Sequence, residues 1–250
     1  MLKIEVCVPN GAQYEAASAA LAADAAFTVV RASVTCGTHT CIATAGDSFG
    51  GMSVAGSSSA VNTHLSSYTP FEFVQRRVKD AIVEEHGGEL PVGCAVVVQT
   101  QHPRHRLLLY APTARVPDGS PLPPDTIAPF LACRAVLLRA AELARRRTIS
   151  GISLPLFAGF VGEVPVARVC AQMLHAHASL TQIPAFMRAE GEAAAALENH
   201  RRLLGGCADD DDDDEEEDDD ADEEDASENE EDYEPDAALR MHGPKAHRLS

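Results

Sequence analysis

Six short apolar runs, each of four to eight residues, are interleaved with longer helix-forming stretches between residues 2 and 177. That order restricts the fold more than any other feature. Leu2–Val8 alternates in character and ends at Pro9-Asn10-Gly11, the pattern of a strand closed by a turn. Residues 12–23 are rich in Ala, which predicts a helix. Phe27–Val30 and Thr38–Ala45 are β-branched and predict two more strands. Phe73–His86 sets Val74, Val78, Ala81, Ile82 and Glu85 at i, i+4, i+7, i+8 and i+11, an amphipathic helix stopped by Gly87-Gly88. Cys94–Gln99 and Arg106–Tyr110 read as strands, and Ile127–Arg147 as a long helix whose last residues, Arg145-Arg146-Arg147, suit the negative end of its dipole. Ile152–Phe157 predicts a further strand and Val164–His177 a further helix. Strands interleaved with helices imply an α/β structure with a mixed sheet covered on both faces.

Charge divides the chain. Its formal net charge is −18, but residues 209–236 hold 22 acids and no Lys or Arg. Residues 1–208 keep 16 of the 38 acids and 17 of the 20 bases, a near-neutral body. Direct nucleic-acid binding is disfavoured, because neutralising phosphates needs a surplus of cations on one face. The acidic run repels itself and lacks apolar residues, so it is expected to be a disordered tail over residues 208–250, with basic proteins as the partners it could attract. No run approaches the 18 apolar residues of a membrane span, and the first residues lack the pattern of a secretory signal. Seven scattered cysteines fit free thiols in a reducing compartment, which gives cytoplasm or nucleus as the expected location. Cys36-Gly-Thr-His39-Thr-Cys41 offers three zinc ligands without a fourth, so it is read as a strand and its entry turn, with no metal or cofactor expected.

In an α/β sheet, ligands gather at the carboxyl ends of strands, in loops leading to helices. Two loops fit that position. Gly46–Ser59 carries four glycines and five serines; Ala158-Gly159-Phe160-Val161-Gly162 follows a strand and directly precedes a helix. A glycine loop at a helix start offers backbone N–H groups and a positive dipole end, which suits a phosphate, although glycines after strands also serve as plain turns.

Taken together, these loops resemble the macro domain, the module that binds ADP-ribose and related nucleotides. The branch it is similar to has a first loop reading Ala-Asn-Ser-Phe-Gly; here the stretch is Gly46-Asp47-Ser48-Phe49-Gly50-Gly51-Met52. Two more strings match in order: Gly88-Glu89-Leu90-Pro91-Val92-Gly93, and Tyr110-Ala111-Pro112-Thr113-Ala114-Arg115-Val116-Pro117. The resemblance covers roughly residues 1–180. It implies a three-layer α/β/α domain over 1–184, followed by a short helix or linker over 185–207. It also implies a ligand site of Asp47, Ser48, Phe49, Gly50 and Gly51 around the distal ribose, with Gly159, Phe160, Val161 and Gly162 around the diphosphate.

Departures from the family bear on activity. Ser33 takes the place of an Asp that recognises adenine. Asp47 replaces an Asn, keeping its acceptors and losing an NH₂ donor. Ser57 stands where hydrolytic members place a carboxylate beside water, and a serine without an activating partner is no general base. Asp47 is the one acid of that loop left to act as one. The reading is therefore a non-catalytic binder of ADP-ribose or a related nucleotide diphosphate. The alternatives are an ADP-ribosyl hydrolase or ADP-ribose phosphatase, and an interaction protein working through its tail. Asp47 could equally be an Asx-turn residue, Phe49 a plug for the sheet, Gly159 and Gly162 a helix-entry turn, and Thr113 and Arg115 supports of loop geometry. His175 and His177, on the last helix, are expected to be surface or interface residues.

Overall fold

Strand β3 (Cys41–Asp47) sits near the middle of a six-stranded sheet, and the alternation of its side chains organises two cores. The structure is a computed structural model, which describes residues 2–52, 57–68, 73–116, 122–157, 164–181 and 193–204. The sheet order is β2 (Phe27–Val30), β1 (Lys3–Cys7), β6 (Gly151–Pro155), β3, β5 (Leu107–Ala114) and β4 (Val96–Gln99). Neighbours run parallel except β4, which pairs antiparallel with β5 through Val96↔Tyr110 and Gln99↔Leu107. The mixed α/β sheet expected from the sequence is what forms.

Cys41 and Ala43 of β3, with Leu109 and Ala111 of β5 and Ile152 and Leu154 of β6, face one core. It is closed by α1 (Gly11–Leu21), α4 (Ala128–Arg145) and α5 (Val166–Thr181) through Ala17, Leu21, Val136, Leu137, Val169 and Met173. The intervening residues Ile42, Leu108 and Tyr110 face the other way. There α2 (Ser57–Leu65) and α3 (Phe73–His86) supply Val61, Leu65, Val74, Val78 and Ile82. Each fully buried aliphatic side chain contributes about 1.5–3 kcal/mol, so the period-two alternation of the strands is what holds helices on both faces.

Under β1 and β6 the second face is polar. Buried Glu5 accepts from the Thr38 amide (2.9 Å), the Thr38 hydroxyl (2.6 Å) and the Ser153 hydroxyl (2.9 Å), which ties residues 33–40 across the sheet. A 3₁₀ turn, Val34–Cys36, lies in that segment, and Ser33 caps it by accepting from the Thr35 amide.

Several boundaries differ from expectation. Helix α2 begins inside the stretch expected to be loop from Gly46 to Ser59; its serines have low propensity, so tertiary packing of Val61 and Leu65 decides it. The strand expected at Thr38–Ala45 starts at Cys41, because Thr38 is held by Glu5, and it reaches Asp47 by pairing with β5. Likewise β5 continues past Tyr110 through Pro112, which pairs with Gly46. Helix α3 spans its expected residues, and its end is tied by the Gly87 and Gly88 amides to the carbonyls of Val83 and Ile82. His175 and His177, expected to be surface or interface residues, are half-buried: His177 Nδ1 lies 2.5 Å from Asp24 Oδ2 with its ring edge-on to Phe27, and His175 packs on Phe130. Helix α6 (Ala193–Leu204) lies within the stretch 185–207 expected to be a short helix or linker.

The chain divides into two units, Met1–Asp209 and Asp210–Ser250. The acidic segment 209–236 lies outside the described residues. Among the described residues, no helix is long and apolar enough to cross a membrane.

Candidate functional site

The three strings that carry the resemblance meet at the carboxyl ends of β3 and β5. The Leu90 amide donates to the Ser48 carbonyl at 2.8 Å, and the Ser48 amide donates to the Arg115 carbonyl at 3.2 Å. Arg115 and Glu89 form a forked pair, Nε to Oε1 at 2.6 Å and Nη2 to Oε2 at 3.1 Å. Both side chains are exposed, so the pair adds little stability and serves to align two loops. The Arg115 hydrogen bond holds the Glu89 carboxyl below its ordinary pKa. Thr113 lies within β5 itself rather than beyond the strand's exit.

Asp47 organises the turn. Its Oδ1 accepts from the Phe49 amide at 2.8 Å and from the Gly51 amide at 3.1 Å, while its carbonyl receives the Tyr110 hydroxyl at 2.7 Å and the Gly50 amide at 3.4 Å. This is the Asx-turn use of an aspartate. Tyr110 is fully buried, and burial together with the nearby Asp47 charge drives its pKa far up, so it remains a donor. Two glycines permit the close approach. A Cβ on Gly51 would lie 2.1 Å from Asp47 Oδ2, and one on Gly46 would lie 2.0 Å from the Tyr110 oxygen. The Met52 amide is anchored on Gln75 of α3 at 3.0 Å.

Every amide from Ser48 to Gly51 therefore has an internal acceptor. The loop offers a ligand its side chains and carbonyls instead. Phe49 is 40% exposed and so does not fill the core, while the Ser48 hydroxyl is buried without a hydrogen-bond partner. Asp47, 5% exposed, is occupied as a structural acceptor. Ser33, at the position of the family's adenine-reading acid, spends its oxygen on Thr35.

Gly159, Phe160, Val161 and Gly162 lie outside the described residues, as do Ser53–Gly56 and the Ser57 side chain. The flanking elements are described. Strand β6 lies parallel and next to β3, with Ile42 paired to Ser153, and Phe157 and α5 bracket the second loop. The strands that precede the two loops named from the sequence, β3 and β6, are thus parallel neighbours whose carboxyl ends lie at the same end of the sheet.

Sequence reasoning missed Tyr110 as the residue that fixes the Asp47 carbonyl, and it missed Glu5. A charged residue inside the apolar run Leu2–Val8 was the available signal for the latter.

No family model matches the sequence, and no curated protein does. Solved structures do. The macrodomain of Thermus aquaticus DarG is 13% identical, covering 69% of this chain and 89% of that one, with a TM-score of 0.45. The macrodomain of Mycobacterium tuberculosis DarG is 13% identical, covering 59% and 86%, with a TM-score of 0.42. The Oceanobacillus iheyensis macrodomain with MES bound is 17% identical, covering 70% and 90%, with a TM-score of 0.44. The resemblance is to macrodomains.

Proposed function

We propose that this chain binds ADP-ribose or a related nucleotide diphosphate and does not turn it over. The observation that carries the reading is the convergence of the three macrodomain-like strings on the Asp47 turn, joined by backbone hydrogen bonds at the end of β3. The distal ribose would rest against Phe49, the exposed side chain of that turn. The diphosphate would sit on the amides of Gly159–Gly162, since the first loop has committed its own. The non-catalytic part of the reading is supported by Ser57 standing where the resemblance places a carboxylate beside water, and by the engagement of Asp47 Oδ1 with two loop amides.

Thermal melting with ADP-ribose, ADP and AMP in parallel tests the reading. At a hundredfold excess over Kd, ADP-ribose should raise Tm by about 5–10 °C, more than AMP does. No shift at millimolar ADP-ribose would refute binding. Release of ADP-ribose from a modified protein, abolished by Asp47→Ala in a variant that still folds, would refute the non-catalytic part.

The run of 22 acids in residues 209–236 favours a second role, capture of basic proteins. Deletion of 208–250 should abolish such capture and leave ADP-ribose affinity unchanged; loss of the affinity would contradict the division of labour.

A further inference from the structure

Away from the nucleotide loops, three imidazoles pack together where α2 meets the connection between β4 and β5. The His64 ring of α2 lies 4.4 Å from the His102 ring and 5.2 Å from that of His105, and the latter two are 5.2 Å apart. Tyr68, just past α2, meets His102 edge-on at 4.6 Å.

Hydrogen bonds fix the state of one ring. His102 Nδ1 accepts two backbone amides, those of Arg104 at 3.2 Å and His105 at 3.1 Å, so it carries no proton and the ring is neutral. His64 Nε2 is shielded from water and has no partner. His105 is fully buried, with Nδ1 3.0 Å from the His39 carbonyl and Nε2 3.1 Å from that of Thr35. Burial, together with the Arg104 guanidinium, outweighs those carbonyls and Glu5 and holds the His105 pKa below its ordinary value. Burial leads in depressing His102 as well, and it pushes His64 down to about 4, with His102, His105 and Arg104 adding to the effect.

The charged groups facing the cluster are Arg104 from the β4–β5 connection and Glu5 from β1, the latter already engaged by Thr38 and Ser153. Among the described residues, no carboxylate hydrogen-bonds any of the three rings. A proton arriving at His64 therefore sits among two imidazoles and a guanidinium. Its place in the last turn of α2 favours a charge through the helix dipole, but burial and the Arg104 guanidinium oppose it.

The two sides of the cluster are unequally held. Arg104 donates to the carbonyls of Cys36 and Gly37, and Thr100 donates to that of His105, so the connection is tied to the 3₁₀ turn and across itself. Helix α2 is nine residues long, and its apolar anchors among the described side chains are Val61 and Leu65.

We infer that the His64–His102–His105 cluster is an acid-operated latch in which protonation of His64 releases helix α2 from the sheet while the remainder of the domain stays folded. Release lets His64 regain an ordinary imidazole environment, so the equilibrium for opening rises as pH falls through about 6.5 toward 4.

Hydrogen exchange of the full chain, corrected for intrinsic exchange, reads the latch directly. Between pH 7 and pH 5, protection of amides in residues 58–65 should fall about tenfold more than that of α4. His64→Leu and His64→Gln, which cannot titrate, should remove that excess loss. Equal protection of α2 at both pH values, or a joint loss of α2 and α4, would overturn the inference in the unmodified chain alone. Persistence of the full pH effect in both variants would overturn it as well.

Discussion

Replacing Asp47 by Ala removes the acceptor of two loop amides, those of Phe49 and Gly51, in a residue that is 5% exposed. Hydrogen bonds to a charged group contribute roughly 1.5–3 kcal/mol each, and the freed amides regain part of that from water, so the net loss is about 2–4 kcal/mol. For a domain of this size that lowers Tm by about 5–12 °C. Asp47→Asn keeps an acceptor oxygen at weaker, neutral strength and should cost about 1 kcal/mol. Gly51 provides an independent check. A Cβ there lies 2.1 Å from Asp47 Oδ2, so Gly51→Ala should displace the carboxylate and destabilise nearly as much as Asp47→Ala. In the Asp47→Ala background the obstacle is gone and Gly51→Ala should be close to neutral, a coupling of about 2 kcal/mol in a double-mutant cycle. Thermal and urea melts of the four proteins measure this. Additive effects, or an Asp47→Ala protein melting within a degree of the original, would refute the role given to the carboxylate.

Glu5 is held below its ordinary pKa: burial raises it, but the bonds from Thr38 and Ser153 prevail, so its stabilisation is full above the unfolded carboxyl pKa and is lost as pH falls through the folded one. Glu5→Gln should flatten the stability–pH curve below about pH 4.5; an unchanged curve would contradict the assignment. Burial pushes the Cys41 thiol up to about 12 and that of Cys170 to about 11, whereas Cys36 is exposed. Iodoacetamide at pH 8 should therefore modify Cys36 while Cys41 and Cys170 stay protected until denaturant is added, and early modification of Cys41 would show the core is wrongly drawn. Gly159→Val and Gly162→Val should each weaken ADP-ribose binding by about 1–3 kcal/mol with a smaller effect on Tm; a lowered Tm with unchanged affinity would make these glycines a turn only.

What the sequence disclosed was local. Helix α3 was legible because Val74, Val78 and Ile82 mark its face and two glycines end it, all within fourteen consecutive residues and their neighbours. Helix α2 was not: its serines argue against a helix, and it exists because Val61 and Leu65 fill space over distant strands. Strand β5 passes Pro112 for the same reason, since β3 supplies the pairing that propensity does not. At the site, Asp47 could be read from its neighbours as ligand contact or turn residue, and only the positions of the Phe49 and Gly51 amides assign its Oδ1 to the turn. The histidine cluster was hidden because its parts, Thr35, His39, His64, His102 and His105, are brought together by tertiary structure alone.

The central claim is most directly tested by isothermal titration calorimetry of the full chain with ADP-ribose, with AMP and ribose 5-phosphate as controls. The account predicts saturable one-to-one binding of ADP-ribose, with each fragment binding at least tenfold more weakly because it reaches only one of the two loops. Absence of heat at millimolar ADP-ribose, or equal affinity for AMP, would contradict it.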